Sequence, residues 1–311
     1  MSDKQLLFAH FNKNLNMIPA NPRVKVHPDR DDMVICPLCF NKFFTLDNFV
    51  DGSLTLDHVP PESLGGKGIV LTCKRCNNEQ GTHLESFLVS HINDLNALQG
   101  RPNSFIDGTI TTDLIEKVRI NFQQNGKSFS IFPHKAAYLK EAERFTNQFA
   151  NGQVGSLKLT LRMTNPRRAK LSLLRSAYLL AFAYMGYGFL NNDNLEIVRK
   201  QLDNPEIDLF PEQAIQYVSE NEFPDTFLGI NIIRNEHGEK SYYIIFDIKK
   251  IEKSYRAGVM LPGPNDSDYR VFQHIRGLTN QRIEYTITHY DVSFEDKLTY
   301  PFIAHDIWNA L

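Results

Sequence analysis

A chain of 311 residues with 42% hydrophobic and 11% aromatic content has enough apolar side chains to build its own core, which excludes a disordered or low-complexity protein. Its length allows two domains. Lysine and arginine total 34 against 36 aspartate and glutamate, a formal charge of −2, which excludes a broadly basic polyanion binder; contact with nucleic acid must rest on a local patch, a metal ion or a partner.

Residues 1–30 read as an arm and a lead-in strand at Val24 and Val26, with a short apolar run at Leu6, Leu7 and Phe8. All four cysteines then fall into two Cys-x-x-Cys pairs, Cys36/Cys39 and Cys73/Cys76. Each pair offers two thiolates from one tight knuckle, and two knuckles close a tetrahedral zinc site. Nothing at the N-terminus reads as a secretory signal, so structural zinc in a reducing, cytoplasmic setting is expected rather than a disulfide framework. Phe40, Phe43 and Phe44 are expected to form a small core beside the first knuckle.

The segment between the knuckles is longer than a simple ribbon needs. Leu54 and Leu56 lead a short strand to Asp57-His58, Pro60-Pro61 and Gly65-Gly66 impose an irregular loop, and residues 69–72 form a second strand. A helix starts near Asn77. Strand, loop, strand and helix make a ββα unit pinned at its base by the cysteines, with His58 and Asn77 facing each other across a small cleft.

From Leu84 the apolar residues recur at three- and four-residue steps through Phe87, Leu88, Ile92 and Leu95, and Gly100 stops the run. His91 on this stripe reads as a packed histidine. Arg101-Pro102-Asn103 reads as a boundary, giving a domain over residues 1–100 and another over 101–311. Alternation at Val118, Ile120 and Phe122, then Asn125-Gly126, then Phe129 and Ile131 predicts a hairpin. A helix over 134–149 and a strand over 157–163 come next. Asn165-Pro166 caps and opens a strongly apolar helix reaching residue 190. Arg175 and two glycines leave its clean run too short for a bilayer, so a buried core helix and no membrane contact are expected. Arg167, Arg168 and Lys170 cluster at its start. A helix over 194–202 and strands over 227–233, 242–248, 256–261, 269–275 and 283–290 complete a mixed domain, with a turn at His237-Gly238. His274, His289 and His305 show no ligand spacing. The fold class is therefore α+β: a small zinc-pinned module followed by a larger mixed domain.

The motifs between Cys36 and Glu85 resemble the HNH endonucleases of the ββα-metal (His-Me finger) superfamily, in their zinc-ribbon form. Matching features are Asp57-His58 followed by Val59-Pro60, the Gly-Gly loop, and the Leu-Thr-Cys-x-x-Cys-Asn junction ahead of a helix. The resemblance covers roughly residues 30–97. It implies that Asp57 binds a catalytic divalent cation, that His58 is the general base, and that Asn77 completes the metal site, with Asn78 as the adjacent candidate. The asparagine that orients the histidine in that family has no clear counterpart near Gly68. His83, six residues past Asn77, is a weaker ligand candidate and a better phosphate contact.

Elementary chemistry agrees with these roles. Phosphodiester hydrolysis needs an activated water, charge neutralisation at phosphorus and help for the leaving oxygen. Hard oxygens from Asp57 and Asn77 suit magnesium or manganese, while four thiolates suit zinc. Blander readings stand beside these: a turn with a surface histidine at Asp57-His58, a helix cap at Asn77, and solvated charges at Lys67, Lys74 and Arg75. The expected function is a metal-dependent endonuclease acting on nucleic acid, DNA by preference, with restriction or phage defence as the analogous role. Residues 101–311 would choose the target, bind a protein partner, self-associate or regulate. The alternative is a non-catalytic zinc ribbon that docks nucleic acid or protein.

Overall fold

The computed structural model describes residues 3–17, 32–40, 43–111, 115–123, 128–133, 139–153, 158–190, 192–234, 240–250, 253–264 and 286–289. The fold is α+β, and its contacts divide the chain elsewhere than at residue 100. One compact unit joins residues 1–85 to 170–311, and the other is 86–169. The expected boundary at Arg101-Pro102-Asn103 falls inside the second unit. The physical reason is the stripe on helix α3 (Ser86–Leu98): it buries Leu88, Ile92 and Ala97 and packs against strands β5 (Ile106–Thr111) and β6 (Ile115–Gln123), so this helix belongs with those strands rather than with the zinc-pinned module.

The first unit opens with helix α1 (Asp3–Met17) where an arm was expected. Phe8, Phe11 and Leu15 are buried on one side of it, a three- and four-residue spacing that the polar residues between them obscure. Val24 and Val26 lie outside the described residues. Short strands β1 (Val34–Ile35) and β2 (Phe43–Phe44) pair around the first knuckle, followed by β3 (Leu54–Val59), β4 (Lys67–Cys73) and helix α2 (Lys74–Gln80). Of the three phenylalanines beside the knuckle, Phe44 is buried, while Phe40 and Phe43 are half-buried. Gly65 caps the turn after Leu64 at φ 83°, and a Cβ on Gly66 would fall 1.4 Å from the Pro60 carbonyl oxygen. The loop therefore closes only with glycine at 66. Gly66→Ala is expected to displace this loop and lower the thermal midpoint, which circular dichroism would register.

Helix α5 (Pro166–Leu190) supports this module from its segment after residue 169. It begins as its sequence predicts, with the Asn165 side chain accepting from the Arg167 amide. By length and composition it could cross a membrane, yet the helix is largely buried within the protein. Phe182 stacks on Phe11 of α1 at 4.9 Å between centroids. The Tyr178 hydroxyl donates to the Pro37 carbonyl (2.8 Å), and the Tyr187 hydroxyl donates to the Ile35 carbonyl and accepts from the Ile35 amide (2.7 and 2.8 Å). Burial pushes Tyr178 up to about 12, so it remains a donor. Two helix tyrosines thus fasten the first knuckle. Gly186 breaks the helix at φ 59°, where the Asn14 side chain accepts from the Tyr187 amide.

Beyond α5 come helix α6 (Glu196–Asp203) and a five-stranded antiparallel sheet. Its strands are β9 (Ile215–Val218), β10 (Gly229–Arg234), β11 (Lys240–Lys250), β12 (Lys253–Pro262) and β13 (Thr286–His289), in spatial order β13-β10-β11-β12-β9. The hairpin of β10 and β11 agrees with the expected strands. The turn at His237-Gly238, the strand over 269–275, His274 and His305 lie outside the described residues. In the second unit, β6 pairs with β7 (Ser128–Pro133) with Phe122 opposite Phe129, as the alternation predicts. Strand β8 (Lys158–Leu161) joins the other side of β5, giving order β7-β6-β5-β8, and helix α4 spans Leu139–Ala150.

Candidate nuclease site

The two knuckles meet. None of the four cysteines is in a disulfide, and their sulfur atoms lie within 4.8 Å of one another. A tetrahedron with metal–sulfur arms of about 2.3 Å has edges of about 3.8 Å, and Cys39 Sγ stands 3.9 Å from Cys73 Sγ. The donor set and its spacing fit zinc. Hydrogen bonds from the thiols of Cys36, Cys39 and Cys76 hold Cys73 far below the ordinary thiol range, and the Cys76 amide also donates to its sulfur at 3.4 Å. That sulfur caps α2, so the second knuckle and the helix start are one structure.

Strands β3 and β4 form the antiparallel pair that carries the remaining candidates. Asp57 pairs with Val70 and His58 with Gly68, leaving Ile69 as an extra residue on β4. Such bulges raise local twist and re-aim side chains next to functional sites. A polar chain runs from α2 to Asp57. The Asn77 Nδ2 donates to Thr55 Oγ1 (3.1 Å), Thr55 Oγ1 donates to the Thr72 carbonyl (3.0 Å), and Thr72 Oγ1 donates to Asp57 Oδ2 (2.9 Å). Asp57 and Asn77 are therefore linked through one face of the hairpin. His58, the next residue along β3, is half-buried and has no hydrogen bond or ion pair among the described residues. Asn78 and His83 are exposed, as are Lys67, Lys74 and Arg75. His91 is half-buried, in keeping with a packed histidine.

Sequence reasoning missed Arg175. Its side chain is 1% exposed, and its guanidinium is engaged on every nitrogen. Nε donates to Gln80 Oε1 (3.1 Å), Nη1 to Asp57 Oδ1 (3.3 Å) and to Glu85 Oε1, and Nη2 to Asp57 Oδ2 (2.5 Å). Burial works against the charge on Arg175, but the Asp57 and Glu85 carboxylates more than offset this and raise its pKa. Burial also pushes the Glu85 carboxyl up, against the pull of Arg175. The signal was present in the sequence: a lone arginine inside an apolar helix must be buried with partners, because an unpaired buried charge is prohibitively costly.

The cation couple can be tested on its donors. Asp57 Oδ2 is saturated by Arg175 and Thr72, while Oδ1 retains a lone pair. Asn77 uses its nitrogen on Thr55, which leaves its oxygen as a donor. Two hard oxygens fit magnesium or manganese. Arg175 already neutralises Asp57, so an ion there would be bound with less help from carboxylate charge than the sequence alone suggests.

Residues 36–93 match the model of a family described as HNH endonuclease. Neither the curated proteins nor the solved structures gave a match.

Proposed function

From the match of residues 36–93 to the HNH endonuclease model, we propose that this protein hydrolyses phosphodiester bonds of nucleic acid, DNA by preference, with His58 as general base and Asp57 and Asn77 as ligands to a divalent cation. The observation that carries this reading is the hydrogen-bonded chain joining Asn77 to Asp57 across a hairpin whose next residue is His58. Histidine is the side chain suited to take a proton from water near neutral pH. With no partner among the described residues, His58 Nδ1 or Nε2 is available for that proton. A bound divalent cation would supply charge neutralisation at the phosphate and stabilise the leaving oxygen. Asp57 and Asn77 would hold it, with Thr55 and Thr72 fixing their rotamers. Lys67, Lys74 and Arg75, exposed on the same module, would meet the flanking backbone phosphates. A role in restriction or phage defence extends this reading by analogy.

Plasmid nicking with magnesium or manganese tests it. His58→Ala is expected to lower the rate by about 10²–10⁴-fold. The competing reading, a zinc ribbon that only docks a partner, draws on the neutralisation of Asp57 by Arg175. Equal nicking by the wild-type protein and His58→Ala, or none by either with both metals, would favour it.

A further inference from the structure

The near-neutral charge of the chain hides a division. Residues 86–169 carry 11 lysine and arginine against 6 aspartate and glutamate, a net of +5. The remaining residues carry 23 against 30, a net of −7. Cutting the chain at residue 100 conceals this, because that cut mixes the two units. The second unit also contains a cavity of about 690 Å³, in the size range of small-ligand sites, whose lining includes Phe87, Asn93, Asn103, Phe105, Arg119 and Arg162.

The charges in this cavity are unequal in availability. Asp94 is committed: its Oδ2 accepts from the Thr164 amide at 2.8 Å. Arg119 lies 3.8 Å from Asp107, and both are about half exposed (48% and 57%), a loose pair that water screens. Arg162 is exposed and has no ion pair among the described residues. Two guanidiniums therefore border the cavity with little to hold them. Aromatic rings stand nearby: Phe105 meets Phe132 edge-on at 5.4 Å, and Arg168 lies over the Phe87 ring at 4.8 Å. Guanidiniums for phosphate, rings for base faces and asparagine amides for base edges are the components of a single-strand nucleic-acid site.

We propose that residues 86–169 form the nucleic-acid-gripping body of this protein, and that the cavity takes a nucleotide of the bound strand with flanking phosphates on Arg119 and Arg162. The proposal rests on the nuclease reading for the identity of the polyanion and adds a net basic unit to a remainder of the chain that is net acidic.

The test measures binding without cleavage. Full-length His58→Ala protein, free of divalent ions, is titrated into fluorescently labelled single-stranded and duplex oligonucleotides at several salt concentrations. Adding Arg119→Gln and Arg162→Gln together is expected to weaken binding at least tenfold, with single strands affected more. The slope of log affinity against log salt should fall by about 1.4 on single strands, at roughly 0.7 for each phosphate no longer neutralised. A control carrying Lys4→Gln and Lys200→Gln, two exposed lysines of the other unit, removes the same charge and should bind like the parent. Equal weakening in both doubles, or none in the arginine double, overturns the proposal. So does an arginine double that binds DNA normally but no longer binds a polyglutamate peptide, since the surface would then serve an acidic protein. Absence of nicking in a wild-type protein that binds normally sinks the nuclease reading alone; binding unchanged in the arginine double while the wild-type protein nicks sinks only this inference.

Discussion

Replacing Arg175 with methionine is expected to cost about 3–5 kcal/mol of stability, the usual penalty for removing one partner of a buried pair. The change strands the Asp57 and Glu85 carboxylates, and Asp57 is only 1% exposed. On a unit of this size the thermal midpoint should fall by on the order of 10 °C, as calorimetry would show. Arg175→Lys retains a charge but loses the fork that reaches Asp57 and Gln80 together, so it should fall in between. Glu85→Gln should behave oppositely. One guanidinium serves two carboxylates, so the cluster carries one excess negative charge. Burial raises Glu85 above its ordinary 4.5, which means its contribution is complete below that pH and is lost as pH rises through the folded value. Glu85→Gln is therefore expected to be neutral or stabilising at pH 7 and to flatten the dependence of stability on pH above 4.5. A loss of several kcal/mol in Glu85→Gln, with Arg175→Met unchanged, would reverse this account of the network.

Removing the metal from the four-cysteine site should have the larger effect. Structural zinc contributes about 10–16 kcal/mol to the folding of small finger modules. Beneath this site lie two two-stranded pairs, β1–β2 and β3–β4, and strand pairs of that size are marginal without support. One zinc per chain is expected by elemental analysis of protein purified without chelators. Chelation, or Cys73→Ser with Cys76→Ser, should release amide protection over residues 34–76 in hydrogen exchange and abolish any nicking. The α5 tyrosines would still hold Ile35 and Pro37, so protection should be lost first at β3, β4 and α2. Metal-free protein that keeps full protection there would show that the sulfurs do not pin the hairpin.

Much of this architecture is written in short stretches of sequence. The two Cys-x-x-Cys pairs, Asp57-His58, the pairing of β6 with β7 (the expected turn at Asn125-Gly126 lies outside the described residues) and the Asn165-Pro166 helix start are local signals, each set by neighbours within a few residues. Helix α1 was less legible because polar residues interrupt its buried side. Strands β5 and β9 were missed because they depend on partners β6, β8 and β12, which the chain supplies later.

The sequence by itself determined the pairing of the four cysteines into two knuckles that could hold a metal, the hairpin of candidate residues and the burial of an apolar helix, since each follows from spacing and side-chain chemistry. Only the tertiary structure decided that Arg175 reaches back 118 residues to neutralise Asp57, and that the contacts set a basic 86–169 apart from an acidic remainder. Both depend on which distant segments come together, and packing decides that through the combined burial of many side chains.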